Sequence, residues 1–317
     1  MQRALVAAAV FVALSGILGA VLAFSATGPG GWRSGAPVPV ARTEVAAAAV
    51  RGEAVVVGGF VADGSNVARA DAYSPRTNTW RRLPDLPVRV DHAAGAAWRG
   101  RMIVAGGYGA DRRPLRDAFL LENGRWSALP RMPANRAAAA GAVVGDTFYL
   151  VGGVSETPLG RELARSAFAL DLRTRRWRTI AGPQPREHLA AAAARGRVYA
   201  LAGRLAGTDT NRGEFEVYDP ATRRWRRLAP IPDPRGGTGA AALDGRIVSV
   251  GGEAPGGTQR LVYAYDLAAH RWRRLPSLPT PRHGLGVVAL GDRVYALAGG
   301  PQPGLFVSAA NESLELP

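Results

Sequence analysis

The stretch Tyr218-Asp219-Pro220-Ala221-Thr222-Arg223-Arg224-Trp225 belongs to a unit that recurs along the chain and ends in a tryptophan. Its tryptophan belongs to a series with spacings of 48, 46, 51, 48 and 47 residues, which consists of Trp32, Trp80, Trp126, Trp177, Trp225 and Trp272. A repeat of this length is typical of the blades of a β-propeller. The spacing therefore predicts six repeats in this chain of 317 residues.

Each repeat carries further features in step with its tryptophan. Seven residues before it stands an aromatic or aliphatic residue, in order Tyr73, Phe119, Leu170, Tyr218 and Tyr265. After it comes a pair of prolines, which ends a strand because proline cannot donate to a sheet ladder. A run of small residues follows, and then a β-rich segment that ends in a glycine doublet, as at 58–59, 106–107, 152–153 and 251–252. Each period thus predicts four short strands.

The small-residue run is predicted to be the innermost strand of each blade. Taken alone, residues 188–195 have a helical composition, because alanine is the best helix former. However, the run between the prolines and the glycine strand is too short for a stable helix. Six blades also converge at the axis, where only small side chains fit, so the repeat favours a strand.

The two ends of the repeat region are predicted to share one blade. The chain enters at Trp32 on a fourth strand and leaves at residues 311–316 on a third strand. Together they close the ring, which removes the exposed sheet edge. We therefore predict an all-β fold, a six-bladed propeller over residues 27–317 with four antiparallel strands per blade.

These motifs resemble the kelch-repeat family of the galactose oxidase and kelch superfamily, and in particular its secreted bacterial members. The similarity rests on the arginine-led inner strand, the strand that ends in Gly-Gly, the Tyr-Asp-Pro segment at 218–220 and the spaced tryptophans, and it covers residues 31–317. The resemblance implies a kelch-type propeller whose ligands meet the loops at one mouth of the central channel. It is specific for fold and not for function, because function resides in sites placed on a common frame.

Residues 1–26 have the pattern of a secretory segment. One arginine precedes an apolar run from Ala4 to Phe24, and small residues follow. We interpret the segment as a signal peptide or as an uncleaved membrane anchor, because a run of about 21 residues is long enough to span a bilayer. Both interpretations predict an extracytoplasmic protein, either secreted or anchored to the membrane.

The composition excludes several classes of chemistry. The chain has no cysteine, which rules out disulfides, thiolate catalysis and cysteine metal sites. It also rules out the copper-radical oxidation that a resemblance to galactose oxidase would imply, since that site needs a Cys–Tyr cross-link. The net charge of +15 comes from arginine without lysine. It favours anionic surfaces or polyanions, or it reflects a compositional bias.

An arginine occupies the same position in five of the six repeats. It stands 16 residues before the first residue of the glycine doublet or of its Ala-Gly equivalent, at Arg42, Arg136, Arg186, Arg235 and Arg282. Because the arginine fork binds carboxylates and phosphates through two hydrogen bonds, this pattern predicts an anion-binding ring at the channel mouth. The alternative is that each arginine belongs to the scaffold and pairs with neighbouring carboxylates or carbonyls.

Other candidate residues stand near this ring in the repeat. Tyr108, Arg204 and Glu253 follow the glycine doublets and can stack on a ligand or fix its polar groups; the alternative is a solvated rim. His188 is a further candidate ligand-binding residue at the channel mouth. His92 and His188 share a repeat position with Glu44. A His/His/Glu metal site is conceivable, but the three residues come from different blades, so we predict neither a metal site nor a cofactor.

A second group of arginines flanks the tryptophans on the strands that are predicted to be outermost. This basic girdle consists of Arg81, Arg82, Arg176, Arg178, Arg224, Arg226, Arg227, Arg273 and Arg274. It can meet anionic lipid headgroups or acidic polymers. Alternatively, it is an ordinary solvated edge that charge protects against strand pairing.

Three functions stay open from the sequence. We favour a binding module that holds a carbohydrate, peptide or protein with an anionic group at the arginine mouth, and we expect no specific binding of nucleic acid. The second is an enzyme of the sialic-acid mutarotase type, which the resemblance suggests and which needs an acid–base group beside a carboxylate-binding arginine. Glu187 or Glu253, with Arg186 or Arg204, can supply these groups. The third is a surface-associated structural protein that uses the basic girdle.

Overall fold

A computed structural model of the protein describes residues 31–316, and the segment interpreted as a signal peptide or anchor, residues 1–26, lies outside the described residues. Within residues 31–316 the chain forms six four-stranded antiparallel sheets that follow one another along the sequence. The predicted all-β, six-bladed propeller is therefore confirmed. In the same residues no helix has the length and apolar character needed to cross a membrane.

The first three blades follow an entry strand. That strand is β1 (Trp32–Ser34). Blade one consists of β2 (Ala46–Val50), β3 (Glu53–Val57), β4 (Ala70–Ser74) and β5 (Thr79–Leu83). Blade two consists of β6 (Ala94–Trp98), β7 (Arg101–Ala105), β8 (Ala118–Glu122) and β9 (Arg125–Ala128). Blade three consists of β10 (Ala140–Val144), β11 (Thr147–Val151), β14 (Ser166–Asp171) and β15 (Arg176–Ala181), with an inserted hairpin of β12 (Val154–Thr157) and β13 (Gly160–Leu163).

The remaining blades repeat this order. Blade four consists of β16 (Ala190–Ala194), β17 (Arg197–Leu201), β18 (Phe215–Asp219) and β19 (Arg224–Leu228), with a short 3-10 turn at Thr208–Thr210. Blade five consists of β20 (Gly239–Leu243), β21 (Arg246–Val250), β24 (Val262–Asp266) and β25 (Arg271–Arg274), with a hairpin of β22 (Glu253–Ala254) and β23 (Gly257–Thr258). Blade six consists of β26 (Gly286–Leu290), β27 (Arg293–Leu297), β28 (Asn311–Glu315) and the entry strand β1.

The ring closes as predicted, because β1 is the outermost strand of the last blade. It pairs antiparallel with β28, with Trp32 opposite Leu314. The Trp32 side chain is buried and packs in the cluster that joins blades five and six. The first described strand therefore completes the blade that the last strands of the chain begin.

The innermost strands are built from small residues because neighbouring blades approach closely at the axis. A Cβ placed on Gly95 of β6 would lie 3.0 Å from the backbone nitrogen of Ala47 on β2. The alanine run of blade four is the inner strand β16 and not a helix. The prediction that axial crowding overrides helix propensity is confirmed.

Each tryptophan of the period joins its blade to the preceding one. Its indole Nε1 donates a hydrogen bond of 2.7–2.9 Å to a carbonyl oxygen at the end of the preceding outer strand. The acceptors are Pro276 for Trp32, Ala36 for Trp80, Pro84 for Trp126, Pro130 for Trp177, Ala181 for Trp225 and Ala229 for Trp272. The regular spacing thus reflects a contact that is repeated between blades.

The residue seven positions before the tryptophan does not have the same place in every blade. Tyr73, Leu170, Tyr218 and Tyr265 lie directly opposite their tryptophans in the sheet. In blade two, however, the residue opposite Trp126 is Leu121, and Phe119 pairs with Ala128. The turn between β8 and β9 is two residues shorter than its counterparts, so the interval of seven residues does not mark the pair in that blade.

Candidate functional site

One end of the propeller, which we call the loop face, carries the loops between the second and third strands of the blades. These loops are residues 58–69, 106–117, 152–165, 202–214, 251–261 and 298–310. The residue two positions after the first residue of each doublet pairs with the segment that enters the inner strand, as Tyr108 does with Asp91. Close approach requires the glycines, since a Cβ on Gly59 would lie 2.4 Å from the Thr43 carbonyl oxygen. The doublets therefore hold the loops against the channel.

A closed belt of backbone hydrogen bonds surrounds the channel at this face. It consists of one residue per blade, at Glu44, His92, Ala138, His188, Gly237 and Gly284. The amide of each belt residue except Glu44 donates to the carbonyl of the preceding one at 2.9–3.1 Å, and the amide of Val45, next to Glu44, closes the belt on Gly284 at 3.2 Å. All six residues have a left-handed backbone, with φ between 51° and 62°. The belt lines a cavity of about 90 Å³.

The side chains on and beside the belt form a second ring of polar contacts. His92 Nε2 lies 3.3 Å from Glu44 Oε2 and 3.0 Å from His188 Nε2. His188 Nε2 lies 3.0 Å from Arg204 Nη2, and Arg204 Nη1 donates to Glu253. His283 Nδ1 completes the ring, 3.8 Å from Glu253 Oε2 and 3.1 Å from Glu44 Oε1. We call these six residues the polar ring.

Carboxylates outside the ring lie beside two of its imidazoles. Asp91 Oδ1 lies 2.5 Å from His92 Nδ1, and Asp91 is fully buried. The other Asp91 oxygen accepts hydrogen bonds from Asn66 Nδ2 at 3.0 Å and Arg112 Nη1 at 2.6 Å. Glu187 Oε1 lies 3.3 Å from His188 Nδ1. Both histidines therefore direct Nδ1 at a carboxylate and Nε2 at each other.

The pKa values of the histidines in the polar ring are shifted in opposite directions. Burial disfavours the charged form of His92, but the charges of Glu44 and Asp91 outweigh it and raise the pKa of His92. The pKa of His283 is raised in the same way by Glu44 and Glu253, against the effect of burial. Burial lowers the pKa of His188, and nearby His92 lowers it further. The pKa of Glu44 lies well below its usual range, because His92 and His283 outweigh its burial.

The five arginines that were predicted to bind an anion lie in the interior. Each is at most 2% exposed, at Arg42, Arg136, Arg186, Arg235 and Arg282. Their guanidinium groups donate to carbonyls of their own blade, and three of them also pair with a buried carboxylate. These carboxylates are Asp71 for Arg42, Glu216 for Arg186 and Glu312 for Arg282. The contacts are those of the scaffold alternative, and a ligand-binding role of these arginines stays a prediction.

The other candidate residues come together at the loop face. His188, Arg204 and Glu253 are members of the polar ring. Tyr108 lies beside it, with its ring centroid 5.5 Å from that of His92. The guanidinium carbons of Arg112 and Arg161 lie 4.8 and 5.0 Å from the same tyrosine ring. Tyr108 is thus packed among cations and a histidine and is mostly buried.

Sequence reasoning missed Asp91, the proximity of Glu187 to His188, and the apolar part of this face. Asp91 and Glu187 each stand directly before a histidine at the belt position, a pattern that was visible in the sequence. In residues 31–316 the exposed large hydrophobic side chains all lie on the loop face, at Leu159, Leu205, Leu305 and Phe306. They occupy the loops of blades three, four and six. These loop residues follow no periodicity, so their location at one end could not be predicted.

The basic girdle lies where it was predicted. Its arginines are exposed on the outer strands β5, β15, β19 and β25. Arg81 pairs there with Glu53 on the second strand of its blade. The girdle is therefore distinct from the loop face and lies on the outer strands of four blades.

Comparison with known proteins identifies the repeat. A family model described as the KLHDC2/KLHL20/DRC7 Kelch-repeats domain matches residues 121–300, and a Kelch motif matches residues 41–87. Kelch-like protein terF of Aspergillus terreus is 32% identical over 145 residues, which are 44% of this chain and 32% of terF. Kelch repeat and BTB domain-containing protein 13 of Homo sapiens is 33% identical over 129 residues, 40% of this chain and 27% of that protein.

Shorter matches extend to other eukaryotes. Kelch-like ECH-associated protein 1A of Danio rerio is 37% identical over 59 residues, 18% of this chain and 10% of that protein. The chain thus covers about a third or less of the length of these curated relatives. The relatives are eukaryotic, so they give no support to the prediction of a secreted bacterial type.

Proposed function

The chain belongs to the kelch-repeat family, and on that premise we propose that its propeller is a binding module for a protein or peptide segment that carries acidic groups. The ligand is held on the loop face, across the mouth of the central channel. Propeller loops are the natural place for such a site, because a rigid scaffold positions them while their sequence is free to vary.

The observation that carries this proposal is the location of the exposed apolar side chains. Leu159 is 94% exposed, and Leu305 and Phe306 are each 52% exposed. Exposed large apolar side chains that all lie at one end of a domain favour that end as an interaction surface. The opposite end of the propeller, formed by the short turns within the strand pairs, has no such residue in the described part of the chain.

Charge on the same face supports an acidic ligand. Arg112, Arg113 and Arg161 lie on the loops of blades two and three, and the Arg113 side chain is 72% exposed. Arginine is enriched at protein interfaces because it offers a planar fork of donors and an apolar stem. The net charge of +15 adds long-range attraction for an acidic partner.

The names of the relatives agree with this class of function. The zebrafish relative is named as an ECH-associated protein, which describes an association with another protein. Only part of each relative matches this chain, so their partners are not carried over. Within the proposal, an extracytoplasmic location rests on the sequence of residues 1–26 alone.

The enzymatic alternative has less support from the geometry. A sugar mutarotase needs an arginine that is free to bind a carboxylate. Arg204 is already paired with Glu187 and Glu253, and Arg186 is buried against Glu216. Both arginines therefore already have carboxylate partners, whereas Arg113 and Leu159 on the loop face are exposed.

A selection from a random peptide library tests the proposal. The full chain, kept in mild detergent because of its apolar N-terminus, is immobilised and exposed to displayed peptides at physiological salt. We expect enriched peptides to combine Asp or Glu with apolar residues, and their binding to weaken as salt rises. Enrichment of no peptide class, or of basic peptides, would contradict the proposal.

A further inference from the structure

We propose that Glu44, His92 and His188 bind a divalent transition-metal ion such as Zn²⁺ at the mouth of the channel. These residues share a repeat position in the sequence, but they belong to blades one, two and four, and the sequence alone did not predict that they converge. In the structure each offers one ligand atom, and the three atoms lie within 4.8 Å of one another. Two imidazoles and one carboxylate are a ligand set that suits Zn²⁺.

Two of the three distances between ligand atoms are close to those around a tetrahedral ion, and the third is within 4.8 Å. Bond lengths of roughly 2.0–2.1 Å to nitrogen and oxygen imply ligand atoms about 3.3 Å apart around a tetrahedron. His92 Nε2 lies 3.0 Å from His188 Nε2 and 3.3 Å from Glu44 Oε2. Small side-chain movements are therefore sufficient to place an ion between them.

The neighbours of the ligands supply the outer shell that metal-binding histidines have. A ligating histidine usually donates its other ring N–H to a carboxylate, which fixes the tautomer and the ring orientation. His92 has this arrangement with buried Asp91, which Asn66 and Arg112 hold in place. His188 has Glu187 at 3.3 Å from Nδ1, although that nitrogen makes no hydrogen bond in this structure.

The backbone holds the three ligands in a rigid frame. All three are belt residues with left-handed φ values of 52–55°. Their amides and carbonyls belong to the closed belt of hydrogen bonds, as in the bond of 3.0 Å from the His92 amide to the Glu44 carbonyl. Ligands that are held in position before binding lose little freedom when the ion arrives.

The charge around the site also favours a divalent cation. Four carboxylates but only two guanidinium groups surround the imidazoles. These groups are Glu44, Asp91, Glu187 and Glu253, and Arg112 and Arg204. A metal ion releases the protons of its histidine ligands when it binds, so its positive charge takes the place of theirs among these carboxylates.

Arg204 is the group that opposes metal binding. Its Nη2 lies 3.0 Å from His188 Nε2, where it occupies the lone pair that an ion needs. Arg204 keeps its ion pairs with Glu187 and Glu253 if this one hydrogen bond breaks. The cavity of about 90 Å³ beside the ligands leaves room for a water molecule or a ligand carboxylate as the fourth donor.

Titration of the full chain with Zn²⁺ tests this site. The protein is purified in mild detergent without a polyhistidine tag, stripped with a chelator and titrated by calorimetry, with Co²⁺ absorption as a second measurement. We expect one ion per chain, a micromolar or lower Kd, and the visible bands of four-coordinate Co²⁺. Absence of saturable binding at one ion per chain would overturn the proposal.

Variants assign the ligands. We expect His92→Ala and His188→Ala each to raise the Kd by about 100-fold, and Asp91→Asn by about 10–100-fold. His270→Ala is the matched control, because His270 is exposed on a turn of blade five, and it should leave the Kd unchanged. An equal loss in the control would overturn the assignment.

Arg204→Gln separates a metal site from a structural cluster. Removal of the opposing charge should tighten Zn²⁺ binding by about tenfold. Because Arg204 is not one of the three proposed ligands, this measurement stays informative even if the His92 and His188 variants do not fold. Binding that is unchanged or weaker in Arg204→Gln would contradict the proposed site.

Discussion

Arg42 Nη1 donates to the carbonyl oxygen of Gly58 at 3.2 Å, and the two residues are 16 positions apart in the sequence. The same bond joins Arg136 to Gly152 and Arg235 to Gly251. In each case a second bond reaches the residue that precedes the third strand or lies at its start. The arginine thus connects the entry to the inner strand with the end of the second strand, which explains why it recurs with the glycine doublet.

Loss of a buried arginine should destabilise the propeller to a degree that depends on its partner. Arg186→Ala leaves the buried Glu216 carboxylate without its counterion and should cost about 3–5 kcal/mol. Arg235→Ala leaves carbonyls without a donor but no carboxylate and should cost about 2–3 kcal/mol. The free energies of unfolding in denaturant measure both.

The exposed girdle residue Arg226 provides the control for these two variants. Arg226→Ala removes an arginine from the outer strand of blade four and should change the free energy of unfolding by less than about 0.5 kcal/mol. If Arg186→Ala and Arg235→Ala were as stable as this control, the scaffold role of the buried arginines would be wrong.

Closure of the ring depends on Trp32. Its side chain is 1% exposed, and Nε1 donates to the Pro276 carbonyl at 2.9 Å, so the first described strand is fixed to blade five. Trp32→Ala should lower the free energy of unfolding by about 3–5 kcal/mol. Trp225→Ala, which removes a partly exposed tryptophan with the same kind of bond, should cost less. Equal losses in thermal and denaturant unfolding would argue against a special role of closure.

The polar ring should make stability depend on pH when metal is removed by a chelator. The pKa values of His92 and His283 are raised above 6.5, so their contribution is complete below pH 6.5 and is lost as the pH rises through their folded pKa values. The pKa of His188 is lowered, so its contribution is lost as the pH falls below 6.5. The denaturant midpoint should therefore be highest near pH 6.5.

Paired variants identify the groups behind this profile. Replacement of His92 and His283 by glutamine should flatten the loss of stability on the alkaline side. His270→Gln, which changes an exposed histidine, should retain it. If the wild type, the double variant and His270→Gln all lost the same stability at alkaline pH, the pH dependence would belong to other groups.

The sequence predicted the features that every blade repeats. Trp80 and Trp225 make the same hydrogen bond to the preceding blade, so the spacing of the tryptophans predicts the number of blades and the ring closure. The position of Arg42 and its counterparts was also visible, but a repeated arginine has the same pattern whether it binds a ligand or a carbonyl. Only its burial distinguishes the two.

Features that differ between blades were not predictable in this way. Glu44, His92 and His188 are separated by 48 and 96 residues, and their meeting depends on a left-handed backbone at the belt. The exposed Leu305 and Phe306 lie in a loop without repeat or periodicity. Contacts across an axis arise from the closed ring, and a single repeat does not contain that information.

The affinity of a selected acidic peptide for paired charge variants tests the central claim most directly. Arg113→Glu with Arg161→Glu reverses two exposed charges on the loop face, whereas Arg76→Glu with Arg175→Glu makes the same change in exposed turns at the opposite end. We predict that the first pair raises the Kd by about tenfold or more and that the second leaves it within about twofold. Equal effects of the two pairs would show that the peptide follows net charge and does not bind the loop face.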